Sequence, residues 1–246
     1  MKKYFIVADV HGYFSVLQIS LNKAGYDKTN PDHVFVSLGD LLDRGNQPVS
    51  CLKFVLSIPS TNRILIRGNH EELIQNAINR DKLLWHDYSN GTALTIAELK
   101  CTKDGMKLWD QYLEQTVPYA RVENNVFTHG WIPCIKENTR PSRDDISYTF
   151  DDNWENGDWT KAAWTNGMDA WNKGIRLPDT TIFCGHYHTS WGHHHIDHTS
   201  QEWPNRRSTN PAHQTADFSP FVHPGIVALD ACTALSGKIN VYILEA

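Results

Sequence analysis

Long hydrophobic runs are missing from this 246-residue chain. No stretch approaches the roughly twenty apolar residues that a membrane-spanning helix needs. The apolar opening Tyr4 to Ala8 is cut short by Asp9 and His11, too soon for the core of a signal peptide. Excess positive charge is also missing. Lys and Arg number 23 against 28 Asp and Glu, a net charge of -5. A mildly acidic chain offers no broad electrostatic footprint for nucleic acid or an anionic membrane, so neither is an expected partner. Cysteines are few and scattered, at Cys51, Cys101, Cys134, Cys184 and Cys232, with no closely paired spacing. Such an odd, dispersed set reads as reduced thiols, and the expected location is cytoplasmic. Internal repeats and a domain boundary are lacking too. With 40% hydrophobic residues, the chain fits one domain, 1–246, carrying insertions. The surpluses are thirteen histidines and nine tryptophans.

The first third repeats a strand, a polar loop and a helix. Tyr4 to Ala8 leads into Asp9-Val10-His11-Gly12. His33 to Leu38 leads into Gly39-Asp40-Leu41-Leu42-Asp43-Arg44-Gly45. Ile64 to Ile66 leads into Gly68-Asn69-His70-Glu71. Helical spacing follows each: Phe14, Leu17 and Leu21 up to Gly25; Leu52, Val55 and Leu56 after Pro48; Leu73, Ile74, Ala77 and Ile78 after Gly68. This order predicts an α/β fold, a parallel or mixed sheet with helices on both faces. Ligands of such sheets bind beyond the carboxyl ends of the strands, where all three polar motifs fall. A helical insertion is expected at about 83–115, completing the core or capping one side of the site. The same grammar returns at Val126-Phe127-Thr128 before His129-Gly130, and at Thr181 to Cys184 before Gly185-His186-Tyr187-His188. Long loops are expected at about 137–179, with one helix near Trp164 to Trp171, and at about 190–224. Two closing strands, Gly225 to Ala231 and Ile239 to Leu244, are expected to pair through a turn at Ser236-Gly237-Lys238.

Hard and borderline metal ligands thus gather at five strand ends. Asp9 and His11 are two residues apart, so on an extended segment both face one cation. The Asp40 carboxylate has two oxygens and can bridge two cations. Asn69, His129 and His186 can fill the coordination sphere of the second cation. This donor mixture suits Mn²⁺ first, with Fe or Zn²⁺ as alternatives. Two such ions about 3.5–4 Å apart acidify a bridging water and neutralise a phosphoryl group. A bridging hydroxide would attack phosphorus directly, and the departing oxygen would then need a proton. His70, beside Asn69, is placed to supply it. Asp43 can orient His70, and Arg44 offers a planar fork for two phosphate oxygens. The tract His193-His194-His195 with His198 is either a third metal site or a polar loop.

The series Asp9-x-His11-Gly12, Gly39-Asp40-x-x-Asp43-Arg44-Gly45, Gly68-Asn69-His70-Glu71, His129-Gly130 and Gly185-His186-x-His188 resembles the calcineurin-like metallophosphoesterase superfamily. The Asp-Arg-Gly and Asn-His-Glu endings are similar to its phosphoprotein phosphatase branch. That branch includes serine/threonine phosphatases and symmetrical diadenosine tetraphosphate hydrolases. The resemblance implies a four-layer α/β/β/α sandwich with mixed sheets. It implies Asp9, His11 and Asp40 around one metal, and Asp40, Asn69, His129 and His186 around the other. His70 with Asp43 would be the acid pair and Arg44 a phosphate clamp. His188 is a feature of the wider superfamily and would complete the first metal's shell. The branch's second phosphate-binding arginine has three candidates, Arg121, Arg143 and Arg176. Trp131 stands where serine/threonine phosphatases usually carry a second glycine.

The expected function is dimetal-dependent phosphoester hydrolysis of serine/threonine protein phosphatase type. The partner is then a phosphorylated substrate, either a phosphoprotein or a small phosphate ester or nucleotide. A diadenosine polyphosphate hydrolase is the first alternative. A nuclease or cyclic phosphodiesterase suits the acidic charge and the Arg44 clamp less well. A catalytically silent binding module on the same fold would be expected to have lost ligands or the acid, and all of them are present.

Overall fold

The computed structural model describes residues 1–80, 82–138, 146–200 and 216–246. Strand β1 (Lys3–Val7) precedes helix α1 (Phe14–Ala24), β2 (His33–Ser37) precedes α2 (Pro48–Ser57), and β3 (Arg63–Leu65) precedes α3 (Asn69–Ile78). The punctuation expected of the sequence is in place. Gly25 ends α1 in the left-handed conformation at φ 78°, and Pro48 sits in the first turn of α2. The insertion is helical: α4 (Trp85–Ser89), α5 (Thr92–Cys101) and α6 (Gly105–Glu114). There follow β4 (Tyr119–Val122), β5 (Asn125–Thr128), β6 (Cys134–Asn138) and β7 (Ile146–Phe150). Then come α7 (Trp159–Ala162), α8 (Gly167–Asn172), β8 (Thr181–Cys184), α9 (Ser190–His195), β9 (Phe221–His223), β10 (Ile226–Ala228), α10 (Thr233–Ser236) and β11 (Tyr242–Glu245).

The strands form two mixed sheets. One has the order β11-β1-β2-β3, the other β4-β5-β8-β10-β9, and β6 with β7 makes a separate hairpin. In the first sheet β1, β2 and β3 are parallel, while β11 runs antiparallel to β1. In the second, β5, β8 and β10 are parallel and antiparallel strands flank them.

Alternation along the strands assigns the layers. Phe5 and Val7 of β1 and Phe35 of β2 join a core with α1, α2, α3, α5 and α6. Their neighbours Ile6, Val34 and Val36 pack instead against Phe127, Phe183 and Val227 of the second sheet. Val126, Ile182, Ile226 and Ala228 face outward onto Trp154, Met168 and Trp171. A period of two therefore sends successive side chains into different cores, which builds the four-layer α/β/β/α sandwich.

Four expectations are corrected. Among the described residues each sheet carries helices on one face only, because the other sheet covers the opposite face. The segment 137–179 holds β7, α7 and α8 as well as loop, and the segment 190–224 holds α9 and β9. Residues 139–145 and 201–215 of those segments lie outside the described residues. The closing strands do not form a hairpin. β10 pairs with β8 and β9, whereas β11 crosses to pair with β1, leaving Gly237 as the cap of α10. A Ser-Gly-Lys turn signal cannot tell a hairpin from a chain that changes sheets.

Candidate metal centre

All five motifs converge at the carboxyl ends of the parallel strands. The loops there are tied to one another through backbone bonds. His11 N–H donates to Asp40 O at 2.9 Å, Gly45 N–H to His11 O at 2.8 Å and Gly185 N–H to His129 O at 2.7 Å. Gly68 lets the third loop approach, because a Cβ there would collide with the Asp40 carboxylate. Asp9, His11, Asp40, Asp43, Arg44 and His186 all have positive φ, between 51° and 69°. Left-handed backbone at non-glycine residues costs on the order of 1–3 kcal/mol each and persists where surrounding structure imposes it. This revises the reading of Asp9 and His11. They reach one place through left-handed turns beyond the end of β1, not through alternation on an extended strand.

Two groups of donor atoms lie within 4.8 Å of one another: those of His11, Asp40 and His70, and those of Asp40, His129 and His186. Asp40 belongs to both. Its Oδ2 lies 3.6 Å from His11 Nε2 and its Oδ1 lies 3.4 Å from His129 Nε2. His11 Nδ1 donates to Leu42 O at 3.0 Å, and His129 Nδ1 donates to Leu38 O at 2.8 Å. Both imidazoles therefore turn Nε2 toward the carboxylate, the orientation that a backbone carbonyl on Nδ1 imposes on metal-binding histidines. Asn69 Oδ1 lies 2.8 Å from His129 Nε2 and 3.0 Å from His186 Nδ1. Asp9 accepts the His186 N–H through Oδ2 at 2.9 Å, while its Oδ1 is buried and has no partner. His11 Nε2 is likewise buried without one. Converging buried acceptors are the signature of a cation site, so these residues fit a metal.

The electrostatics agree. Burial pushes the Asp9 carboxyl well above its ordinary range, and the nearby Asp230 and Asp40 carboxylates push it further. Burial raises Asp230 as well. Burial, then Arg44, holds His11 neutral, and burial, then His129, lowers His186 to about 3. Burial also opposes ionisation of Asp40, but the surrounding His129, His70 and His11 outweigh it, and its carboxyl stays well below normal. Desolvated carboxylates faced by imidazoles form a set that one or two divalent cations would complete.

Beside this centre stands His70. Its Nδ1 donates to Asp43 Oδ2 at 2.8 Å, and its Nε2 lies 3.3 Å from Arg44 Nη2. Burial lowers the His70 pKa, but the Asp40 charge and the Asp43 hydrogen bond outweigh that, and the net direction is up. His188 stands slightly apart. Its Nδ1 lies 2.8 Å from Ser190 Oγ, and it interacts with Asp230. Among the candidate arginines, Arg121 lies 3.8 Å from Glu155, and Arg176 covers the Trp171 ring at 4.2 Å. Arg143 lies outside the described residues. His193, His194 and His195 lie in α9 rather than in a polar loop. His193 bonds Asp197 and Ser219, and His194 bonds Ser200, and neither converging donor group includes them.

Three roles escaped the sequence reading. Asp230, buried, follows β10 as the candidate ligands follow their strands, but it sits within an apolar run read as continuous strand. Glu71 accepts from Gly68 N at 2.7 Å, Asp40 N at 3.0 Å, Leu41 N at 3.0 Å and Tyr112 Oη at 3.1 Å, stitching two loops and α6 together. Its spacing after Gly68 is a capping-box signal that could have been read. Thr92 reaches Asp43 from the helical insertion, with no local signal at all. A cavity of about 320 Å³ adjoins the centre, running past His129 and Gly68 between Arg67, Gln75, Asn76 and Trp159.

Similarity to known proteins follows this geometry. Over 82 residues the chain is 34% identical to serine/threonine-protein phosphatase 1 of Salmonella typhimurium, covering 33% of this chain and 36% of that protein. Over 194 residues it is 24% identical to a symmetrical bis(5'-nucleosyl)-tetraphosphatase of Shewanella sediminis, covering 74% of this chain and 64% of that protein. The chain thus spans less than two thirds of the length of these relatives. In fold it is similar to a crystal structure of a candidate diadenosine tetraphosphatase, with TM-score 0.51, 15% identity, and coverage of 98% and 93% of the two chains. It is also similar to a cold-active protein-tyrosine phosphatase of a psychrophilic Shewanella species, with TM-score 0.55, 18% identity, and coverage of 100% and 76%. The profile of one family, described as calcineurin-like phosphoesterase, matches residues 2–198, and the chain belongs to that family.

Proposed function

We propose that this protein is a cytoplasmic, dimetal-dependent phosphoester hydrolase of serine/threonine phosphatase type. The observation that carries the reading is Asp40, whose two oxygens face separate groups of imidazoles. Asp9, His11 and Asp40, with His188 at the edge, would hold one ion. Asp40, Asn69, His129 and His186 would hold the other. Manganese suits these donors best, with iron or zinc as alternatives. When bound, the pair supplies Lewis-acid charge and an acidified water as nucleophile. The remaining work belongs to the chain. Arg44 grips two phosphate oxygens with its planar fork. His70 presents Nε2 toward the leaving oxygen and donates its proton there. Asp43, bonded to Nδ1, keeps the imidazole in that orientation.

The test is reconstitution with Mn²⁺ followed by assay of a chromogenic phosphate ester. Turnover that tracks metal content is expected. A protein that binds no metal and hydrolyses no ester would instead be a silent binding module. A second substrate reading has its own support, since the similarity to the dinucleoside tetraphosphatase extends over 74% of this chain. A panel separates the two. Faster cleavage of a phosphopeptide favours the protein phosphatase reading, and faster cleavage of diadenosine tetraphosphate overturns it.

A further inference from the structure

The helical insertion touches the acid pair at one point, the turn between α4 and α5. Thr92, the first residue of α5, is fully buried, and its hydroxyl donates to Asp43 Oδ2 at 2.6 Å. That oxygen also accepts from His70 Nδ1, while Asp43 Oδ1 is buried without a hydrogen-bond partner. The orientation of the Asp43 carboxylate therefore rests on two donors to one oxygen. The preceding two residues brace the backbone of the same loop. Asn90 O accepts the Arg44 N–H at 3.2 Å. Gly91, at φ 86°, packs against Arg44 so closely that a Cβ would collide with its backbone nitrogen. Asp43 and Arg44 are themselves left-handed, at φ 69° and 60°.

We propose that Thr92 is a positioning residue for proton donation: its hydroxyl holds Asp43, which in turn aims His70 at the leaving group. This rests on the general-acid reading of His70 given above. Without the hydroxyl, Oδ2 keeps only its bond from His70, so carboxylate and imidazole can rotate together and Nε2 loses its aim. Proton donation matters most when the leaving oxygen is basic. The defect should therefore appear with a poor leaving group and be small with a good one.

The Mn²⁺-loaded protein is assayed with phenyl phosphate and with p-nitrophenyl phosphate, reading kcat and KM separately. Thr92→Ala and Thr92→Ser lack the same methyl group and differ only in a hydroxyl. Loss of one buried hydrogen bond to a charged group corresponds to roughly tenfold. Thr92→Ala should lower kcat on phenyl phosphate by about tenfold, with under twofold change on p-nitrophenyl phosphate and an unchanged KM. Thr92→Ser should restore the wild-type ratio. Equal losses on both esters, no loss on either, or no restoration by serine would overturn the proposal. Thr92→Val, with the hydroxyl replaced by a methyl, should match alanine wherever it folds. His70→Ala reports the acid reading separately. A changed ratio there with none in Thr92→Ala defeats the Thr92 role alone; no change in His70→Ala defeats both.

Discussion

At the scale of single residues, the site is a contest between desolvation and satisfaction. Asp9, Asp40 and Asp230 are carboxylates taken out of water, and the neighbouring His11 and His129 rings are held through Nδ1 by backbone carbonyls, with Nε2 facing inward. His70 differs in having a carboxylate on its far nitrogen, which fits it for handling a proton. His70→Ala should therefore slow hydrolysis of a phosphate ester with a poor leaving group by about 10²–10⁴-fold while the metal content, measured by elemental analysis, stays unchanged. Glu71 is the structural counterpart. Replacing it with alanine strands three backbone N–H groups and the Tyr112 hydroxyl. Chemical denaturation should show a loss of at least about 3 kcal/mol. Away from the site, Tyr26 supplies a pH signature. Burial, then the Asp27 charge, raises its phenol to about 12. An unfolded phenol titrates near 10, so the unfolded chain gives up its proton first, and stability should fall as pH rises from about 10 to 12. Tyr26→Phe should flatten that decline in thermal melts.

At the scale of elements, each parallel strand divides its side chains between two cores and leaves its carboxyl end to the metal site. Phe183 of β8 packs in the layer between the sheets, one residue before Cys184 and three before His186. Phe183→Ala should cost about 3–5 kcal/mol in equilibrium unfolding, with metal affinity changed only secondarily. The strands and helices of the first third were legible because hydrophobic period, glycine and proline all agreed there. The later elements were less so. Three-residue strands such as β9 and β10 are too short to show a period, and short helices such as α7 and α8 owe their form to packing and local caps rather than to an apolar stripe.

At the scale of the molecule, two sheets face each other and the site lies where their strand ends meet. Candidate ligands from both sheets enclose it: Asp9, His11, Asp40 and Asn69 from the first, and His129 and His186 from the second. A cation bound between them therefore couples the stability of one half of the sandwich to that of the other. Removal of metal with a chelator should lower the melting temperature, and Mn²⁺ should restore it. For one ion at a hundredfold excess over its dissociation constant, the gain is about 2.7 kcal/mol. No helix among the described residues is long and apolar enough to cross a membrane.

The sequence by itself determined the ligand types, their places at strand ends, the α/β class and the family. Those features are local. An aspartate or histidine after an apolar run declares its chemistry wherever the strand is later placed. Only the tertiary structure decided which candidate donor atoms come together and which residues hold Asp43 and His70 in place. His186 donates its backbone N–H to an aspartate 177 residues away, and Thr92 reaches Asp43 across 49. It also decided that β11 closes the first sheet rather than a hairpin, and that Asp230 lies beside Asp9. The physical reason is the same in each case. Hydrogen bonds and charges act over a few ångströms, and such distances between remote segments exist only once the two sheets have packed.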